Sequence, residues 1–263
     1  MTDNLCHLLH HVPLKAGYWT LTLDAKAIAD RAVPGQFVHI RVPTLEASAL
    51  RRPFSIFGAR DGKLHILYKT VGRGTEKMNT LNAGDTVTVL GPLGNGFPLT
   101  PAGVPLLVGG GYGVAPLCFL AERLPCKGIV FIGGRTADDI LASDRFERLG
   151  WTVQIATQDG SQGDTGLVTF PLDREIARLK AEGQPIEFYA CGPDGMLKAV
   201  GERALANNAK GWLSLDKHMV CGVGACLACV QNIRNPDAPP DTPPRLACTC
   251  RDGPIFEARE IVW

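Results

Sequence analysis

Residues Val104 to Pro116 have the sequence VPLLVGGGYGVAP, an apolar run followed by a glycine-rich turn and a second apolar stretch. A strand that leads through glycines into a helix is the local context of a dinucleotide-binding loop. The match to G-x-G-x-x-G is imperfect, and a tight turn that packs a strand closely against a helix is the alternative. The residues predicted to contact a dinucleotide here are Gly109, Gly110, Gly111 and Gly113.

Strands and helices alternate after this stretch. Apolar strand candidates span residues 128–133, 152–156 and 186–190, and helical candidates span residues 116–124, 138–149, 173–180 and 194–207. This alternation predicts a doubly wound parallel sheet whose ligand crevice lies at the carboxyl ends of the strands. Cys191-Gly192-Pro193 follows the last strand, so Cys191 is a candidate neighbour of a nicotinamide ring. A small buried thiol without a chemical role is the alternative.

The segment before residue 100 has the alternation of strands. Short strand candidates at residues 36–42, 64–68 and 85–90, separated by Gly and Pro turns, indicate a small antiparallel barrel or sandwich. In Arg52-Pro53-Phe54-Ser55 the arginine suits a pyrophosphate, although alone it would be an ordinary surface arginine. Gly72-Arg73-Gly74-Thr75 is a glycine-rich turn at a predicted helix start, which favours phosphate. Together the two motifs predict a flavin dinucleotide held from two sides.

Cysteines cluster near the end of the chain. Of the nine, five lie between residues 221 and 250, and Cys221, Cys226 and Cys229 have the spacing C-x4-C-x2-C. This spacing, with a distant fourth cysteine, is typical of plant-type [2Fe–2S] centres. The fourth ligand would be Cys248 or Cys250. The alternative is a structural zinc site formed by Cys226, Cys229 and the last two cysteines. A [2Fe–2S] centre moves single electrons, so a flavin that also handles electron pairs is an expected companion.

Composition excludes several classes of protein. The chain of 263 residues has 27 basic and 26 acidic residues, so neither nucleic-acid binding nor an acidic tail is indicated. Residues 91–121 lack charge but contain five prolines and a glycine run, which indicates a buried segment and no membrane span. The start of the chain is not a secretory signal, and the cysteine clustering predicts a reducing, cytoplasmic compartment. The six histidines have no metal-ligand spacing and are predicted to be solvated or on strand faces.

The motifs taken together carry a resemblance. R-P-F-S, G-x-G-T, the glycine loop and C-G-P resemble the ferredoxin-NADP reductase superfamily. The segments HMVCGVGACLACV and CRDGPIFEA are similar to the family of electron-transfer subunits of class 1B dihydroorotate dehydrogenase. The resemblance covers essentially the whole chain. It implies a multidomain β and α/β fold, with an antiparallel FAD-binding β-barrel at residues 1–100, an NAD-binding doubly wound sheet at 101–212 and a small [2Fe–2S] domain at 213–263.

The resemblance also implies the site residues. FAD would be held by Arg52, Pro53, Phe54, Ser55, Leu67, Tyr68, Lys69, Gly74 and Thr75. NAD would be held by the four glycines named above with Cys191, Gly192 and Pro193, and the cluster by Cys221, Cys226, Cys229 and Cys250. Cys248 is an extra thiol relative to the family pattern. Arg135 is a candidate contact for a 2′-phosphate, so NADP stays an alternative to NAD.

The implied function is electron transfer in pyrimidine biosynthesis. An FMN-containing catalytic subunit would oxidise dihydroorotate, and electrons would reach NAD+ through the cluster and FAD of this chain, in a heterotetramer of two copies of each subunit. No residue of this chain is firmly predicted to be catalytic. One alternative is a reductase subunit of another flavin iron–sulfur complex, and the other is a zinc-stapled binding module that has lost its cofactors.

Overall fold

The first third of the chain closes into a barrel. The computed structural model describes residues 3–42, 50–239 and 241–263. The barrel strands are β1 (Asp3–Pro13), β2 (Tyr18–Asp24), β3 (Phe37–Arg41), β4 (Arg52–Arg60), β5 (Lys63–Lys69) and β6 (Thr86–Leu93), and two short helices, α1 (Lys26–Ala29) and α2 (Arg73–Met78), lie in the connections. All neighbours pair antiparallel in the order β1-β2-β5-β4-β3-β6. Of the two predicted alternatives, barrel and sandwich, the barrel is confirmed.

Strand β3 is covered on both faces. Val38 and Ile40 point into the barrel, where they join a core of buried aliphatic side chains. Phe37 is on the opposite face and packs against Cys229, Cys248 and Cys250. His39 lies on a face of β3, as one of the two predicted alternatives has it, but it has no exposed surface, so the solvated alternative is wrong at this position. The outer face of the barrel is buried here because the cysteine-bearing segment lies on it.

The chain after the barrel forms a large sheet that is parallel except at one edge. Its strands are β7 (Val104–Gly110), β8 (Ile129–Gly134), β9 (Thr152–Thr157), β10 (Asp164–Thr165), β11 (Ile186–Cys191), β12 (Gly211–Ser214) and β15 (Ile255–Glu257). Their order is β10-β9-β8-β7-β11-β12-β15, and each pair is parallel except β12 with β15. The order reverses direction at β7, which is the switch point where such sheets bind ligands.

Helices cover both faces of this sheet. They are α3 (Val114–Arg123), α4 (Ser143–Arg148), α5 (Thr169–Ala181) and α6 (Asp194–Ala206). Helices α5 and α6 bury an apolar stripe that includes Leu172, Leu197 and Val200 on one face. On the other face, α3 and Phe146 of α4 share a buried cluster with barrel residues such as Leu67. The barrel therefore packs directly against the α3 side of the sheet.

The helix predicted at residues 138–149 is wrong in its extent. A 3-10 turn covers Ala137–Asp139, and α4 begins only at Ser143. Ala142 between them has a left-handed φ of 57°, which breaks the helix. The Thr136 side chain accepts a hydrogen bond from the Asp138 amide and so caps the turn as a separate unit.

The strands of the cysteine-bearing segment are divided between two sheets. Strands β13 (Val230–Ile233) and β14 (Arg245–Cys248) form a two-stranded antiparallel sheet, whereas β15 extends the large sheet through β12. The predicted boundary at residue 212 falls within β12, and the boundary at residue 100 falls between β6 and β7. The division into three domains stays a prediction. Among the residues that the structure describes, no helix is both long and apolar enough to cross a membrane.

Candidate cofactor sites

The glycine loop, residues 109–113, lies where β7 ends and the chain turns into α3. A Cβ on Gly113 would overlap the carbonyl oxygen of Cys191, and one on Gly110 would come within 2.9 Å of Pro193 Cδ. Parallel pairing sets Cys191 beside Gly109 in register. The sequence analysis singled out these two turns separately, and the structure brings them into backbone contact. Glycine is required here because two backbones approach closely.

A cavity of about 1100 Å³ opens over these two turns. It is lined by Gly110, Gly111, Gly113, Cys191, Gly192 and Pro193 of the predicted NAD-contacting residues. Gly109 does not line it, because its Cα faces Val114 and Leu117 of α3. Arg135, the candidate neighbour of a 2′-phosphate, lines the same cavity. A role of Arg135 toward a 2′-phosphate stays a prediction.

A second cavity, of about 570 Å³, lies on the outer face of the barrel. All predicted FAD-contacting residues line it except Gly74: Arg52, Pro53, Phe54, Ser55, Leu67, Tyr68, Lys69 and Thr75. A Cβ on Gly74 would lie 2.5 Å from Arg52 Nε, so Gly74 leaves the space that the guanidinium occupies. The two motifs expected to hold one dinucleotide therefore meet in the structure.

The two cavities share a wall. Six residues line both of them: Lys69, Val71, Tyr112, Gly113, Cys191 and Asp216. Burial, and secondarily the Asp216 carboxylate, raises the pKa of Cys191 to about 12, so this thiol is protonated at neutral pH. A small neutral thiol suits close packing of two ring systems better than nucleophilic chemistry. Its predicted place between nicotinamide and flavin agrees with this wall but stays a prediction.

An ion pair between the barrel and the sheet is not among the features that the sequence predicts. Asp139 accepts hydrogen bonds from the Tyr18 hydroxyl at 2.8 Å and from Lys69 Nζ at 3.1 Å. Lys69 Nζ also lies 4.4 Å from the centre of the Tyr18 ring. All three residues line the larger cavity. No local pattern reveals this network, because Tyr18 and Asp139 are 121 positions apart.

Arg51 is a second residue that the analysis missed. It lines the barrel cavity beside Arg52, and its guanidinium pairs with Asp3 at 2.6 Å. Its Nη1 is buried and has no hydrogen-bond partner among the described residues. The sequence signal that identifies Arg51 is the Arg51-Arg52 pair ahead of Pro53. Two adjacent arginines next to a phosphate-binding motif supply more hydrogen-bond donors than one phosphate contact requires.

The cysteine loop, residues 221–229, wraps its amides around sulfur. Val223, Ala225 and Cys226 donate backbone N–H groups to Cys221 Sγ at 3.3 to 3.5 Å. Gly222 and Gly224 have φ of 73° and 80°, as a loop that turns its amides inward requires. Burial would raise the pKa of Cys221, but the amide hydrogen bonds outweigh it and lower the pKa to about 6. The loop therefore favours a thiolate, the form in which cysteine binds iron.

The two candidates for the fourth ligand differ in their contacts. Cys250 Sγ accepts a hydrogen bond from the Gly224 amide at 3.1 Å. The same loop therefore supplies backbone amides to both Cys221 and Cys250. Cys248 Sγ is directed to the Gly224 carbonyl at 3.9 Å and, within the described part of the chain, receives no backbone amide. Amide hydrogen bonds to sulfur accompany cluster ligation. These contacts favour Cys250, which stays a prediction together with the other three ligands.

The surroundings of the loop suit a sulfur-rich group. Within the described residues, no three His, Cys, Asp or Glu side chains are gathered as a single metal ion would need. Two buried side chains, His39 and Thr249, have polar atoms without a hydrogen-bond partner among the described residues. Thr249 lies between the two candidate cysteines. Buried donors that lack protein acceptors fit a cofactor that supplies acceptors of its own.

Comparisons with known proteins agree with this geometry. A family model described as the iron–sulfur cluster binding domain of dihydroorotate dehydrogenase B matches residues 216–262, and an oxidoreductase NAD-binding domain matches residues 107–202. The dihydroorotate dehydrogenase B (NAD(+)) electron transfer subunit of Bacillus caldolyticus is 40% identical over 255 residues, covering 93% of this chain and 92% of that protein. The corresponding subunit of Desulforamulus reducens is 37% identical over 249 residues, covering 92% of each.

Solved structures share the fold. The NADH-dependent reduced ferredoxin-NADP oxidoreductase, described for flavin-based electron bifurcation, has a TM-score of 0.84 at 29% identity, covering 99% of this chain and 90% of that one. The flavohem-like FAD/NAD-binding domain of a nitric oxide dioxygenase from Vibrio cholerae has a TM-score of 0.65 at 22% identity, covering 78% of this chain and 93% of that one. The second likeness concerns the fold alone.

The barrel, the glycine loop and the cysteine loop define an iron–sulfur oxidoreductase of the ferredoxin reductase type that uses flavin and nicotinamide. Within this class, the chain belongs to the family of dihydroorotate dehydrogenase B electron transfer subunits. The predicted fold class and the predicted cofactors FAD, [2Fe–2S] and NAD are confirmed. The zinc-stapled alternative is wrong, because the cysteine segment matches an iron–sulfur domain.

Proposed function

We propose that this chain transfers electrons from the FMN of a dihydroorotate-oxidising catalytic subunit to NAD+, as a step in pyrimidine biosynthesis. One observation carries the proposal: the barrel cavity touches both other sites. It shares a wall with the glycine-loop cavity, and its lining also includes His218 and Met219, which lie just before the cysteine loop. A flavin in the barrel cavity would thus lie between the nicotinamide site and the cluster.

The residues of this chain bind and position, and none needs to act as a strong acid or base. When bound, FAD supplies the exchange between single electrons and a hydride, and the cluster supplies single-electron transfer. Arg52, seated against Gly74, would hold the flavin pyrophosphate. Cys221, Cys226, Cys229 and Cys250 would hold the cluster. The backbone contact between Gly113 and Cys191 would keep the nicotinamide and flavin sites adjoining.

The partner and the compartment follow from the same proposal. Relatives at 40% identity are named as electron transfer subunits, which supports a separate catalytic subunit. We infer an FMN-containing partner in a heterotetramer with two copies of each chain. All nine cysteines are free, which agrees with a reducing, cytoplasmic compartment.

Reconstitution tests the proposal. The chain is purified with its cofactors and mixed with the catalytic subunit, and dihydroorotate-dependent reduction of NAD+ is followed at 340 nm. We expect NAD+ reduction by the assembled complex and almost none by the catalytic subunit alone. Equal rates with and without this chain would refute the function. Parallel assays with NADP+ compare the two nucleotides at the Arg135 end of the cavity.

A second function has its own support. The likeness to an electron-bifurcating ferredoxin-NADP oxidoreductase extends over 99% of this chain at 29% identity. A reductase subunit of another flavin iron–sulfur complex would use the same three sites with a different electron donor. Co-purification of the tagged chain from its native cell distinguishes the two, since a dihydroorotate-oxidising subunit supports the first function and a different flavoprotein or ferredoxin supports the second.

A further inference from the structure

His39 is a buried histidine whose two ring nitrogens both lack a hydrogen bond within the described part of the chain. Its side chain has no exposed surface, and neither Nδ1 nor Nε2 has a hydrogen-bond partner among the described residues. A buried donor or acceptor left unpaired loses the hydrogen bonds that water would supply, which destabilises the folded protein. By contrast, His65 on β5 is a histidine of the same barrel whose Nδ1 lies 3.1 Å from Thr22 Oγ1. The barrel thus offers partners to histidines elsewhere, and the environment of His39 needs a specific explanation.

The ring of His39 lies under the cysteine loop. A Cβ built on Gly222 would lie 2.9 Å from His39 Cε1 and 3.0 Å from Nε2, so the imidazole packs directly on the Gly222 backbone. Gly222 follows Cys221, whose sulfur collects three backbone amides. In the barrel, His39 pairs with Pro53 of the flavin motif. The imidazole therefore stands between the strand that lines the barrel cavity and the loop that bears the iron ligands.

The chemical state of the ring suits a hydrogen-bond donor. Burial, followed by the nearby Arg51 guanidinium, lowers the pKa of His39 to about 4. A neutral imidazole carries one N–H donor and one acceptor nitrogen. The neighbouring ring of Phe37, with its centre 5.6 Å away, offers no polar atom. Sulfur of a cluster or of its cysteine ligands is an acceptor that would complete this environment.

We propose that His39 is a positioning residue that donates a hydrogen bond from its ring to a sulfur of the [2Fe–2S] centre and thereby raises the reduction potential of that centre. The physical reason is that the reduced centre carries one more negative charge, so a donor aimed at its sulfur stabilises it more than the oxidised form. The proposal rests on the cluster assignment of the proposed function, but it does not depend on the identity of the electron donor.

The test measures the cluster and does not use enzyme turnover. The full chain is purified as wild type, His39→Leu, His39→Asn, His39→Gln and the control His65→Leu, and the midpoint potential is obtained by EPR-monitored redox titration. We expect His39→Leu to disfavour cluster reduction about tenfold, which is about 59 mV lower for a one-electron couple. The Asn and Gln variants each retain one amide donor, so the variant closer to wild type identifies the donating nitrogen. His65→Leu is expected to leave the potential unchanged.

A spectroscopic measurement on the wild type covers the case in which a variant fails to fold. Pulsed EPR of the reduced protein labelled with ¹⁵N-histidine is expected to show a histidine nitrogen coupled to the cluster, and His65→Leu should retain that signal. A wild-type potential in fully loaded His39→Leu, or no histidine coupling in the wild type, would overturn the role of His39. A wild type that binds no iron or sulfide would overturn the cluster assignment and the proposal together, whereas a failed dihydroorotate assay with an intact cluster would overturn only the proposed partner.

Discussion

The glycine loop and the cysteine loop both depend on glycine, but for different physical reasons. In the glycine loop, Gly113 leaves no space for a side chain because the backbone of Cys191 is in contact with it. In the cysteine loop, Gly222 and Gly224 adopt left-handed φ angles that aim backbone amides at sulfur. One loop uses glycine for close approach and the other for backbone direction. The same substitution should therefore have different consequences in the two regions.

The largest expected effect concerns the cysteine ligands, on which the role of the cysteine loop depends. Cys250→Ala removes the thiol that receives the Gly224 amide, and we expect loss of most of the iron and acid-labile sulfide. Cys248→Ala removes a buried thiol that receives no amide, and it should retain the cluster. Iron and sulfide content with visible absorption measures both. If Cys248→Ala loses the cluster and Cys250→Ala keeps it, the assignment of the fourth ligand must be reversed.

The next effect tests close approach in the glycine loop. Gly113→Ala should destabilise the fold by about 3 kcal/mol, because a methyl group there overlaps a backbone carbonyl that cannot move freely. Gly195→Ala is the matched control, since Gly195 lines the same cavity and a Cβ at that position would meet no atom within 4 Å apart from its chain neighbours and the backbone of its own helix. Thermal unfolding and NADH binding measure both variants. Similar melting temperatures for the two variants would show that the Cys191 backbone can move to accommodate a methyl group on residue 113.

A smaller effect is expected where both reasons for glycine act together. Gly222→Ala places a methyl group against the His39 ring and in a left-handed conformation, which together should cost about 2 kcal/mol. In a His39→Ala background the steric part should disappear, so the cost of Gly222→Ala should fall. A double-mutant cycle on the melting temperature measures this coupling. Additive effects would mean that the ring and the loop do not press on each other.

Whether a feature can be predicted from the sequence depends on whether the residues that form it are close together in the chain. The spacing of Cys221, Cys226 and Cys229 and the strand–turn–helix around Gly110 lie within single stretches, so their structural context could be predicted. His39, Tyr18 and Asp139 act through partners more than 100 positions away, and no periodicity brings such partners together.

Local signals also failed where tertiary contacts overrode them. Residues 138–149 have helical composition, but Tyr18 and Lys69 donate hydrogen bonds to Asp139, and Ala142 adopts a left-handed φ that interrupts the helix. Strand β15 follows the cysteine segment in sequence but completes the large sheet beside β12. Its short run of three residues carries no signal that identifies the sheet it joins.

The smallest effect separates backbone direction from crowding within the cysteine loop. Gly224 has a φ of 80°, and a Cβ there would lie 2.9 Å from Arg251 Cδ. The Arg251 side chain is 60% exposed, so its Cδ can turn aside, while its Cβ, 3.0 Å from the same position, must yield by a few tenths of an ångström. Gly224→Ala should therefore cost mainly the left-handed strain, about 1 kcal/mol, and should keep its cluster. In the Gly224→Ala background, Arg251→Ala should change the melting temperature little further, apart from the loss of the exposed ion pair with Asp252. The single variant Arg251→Ala measures the contribution of that ion pair and is the control. If the double variant instead recovers the stability lost in Gly224→Ala, crowding governs this position as it does at Gly113, and the distinction between the two loops fails.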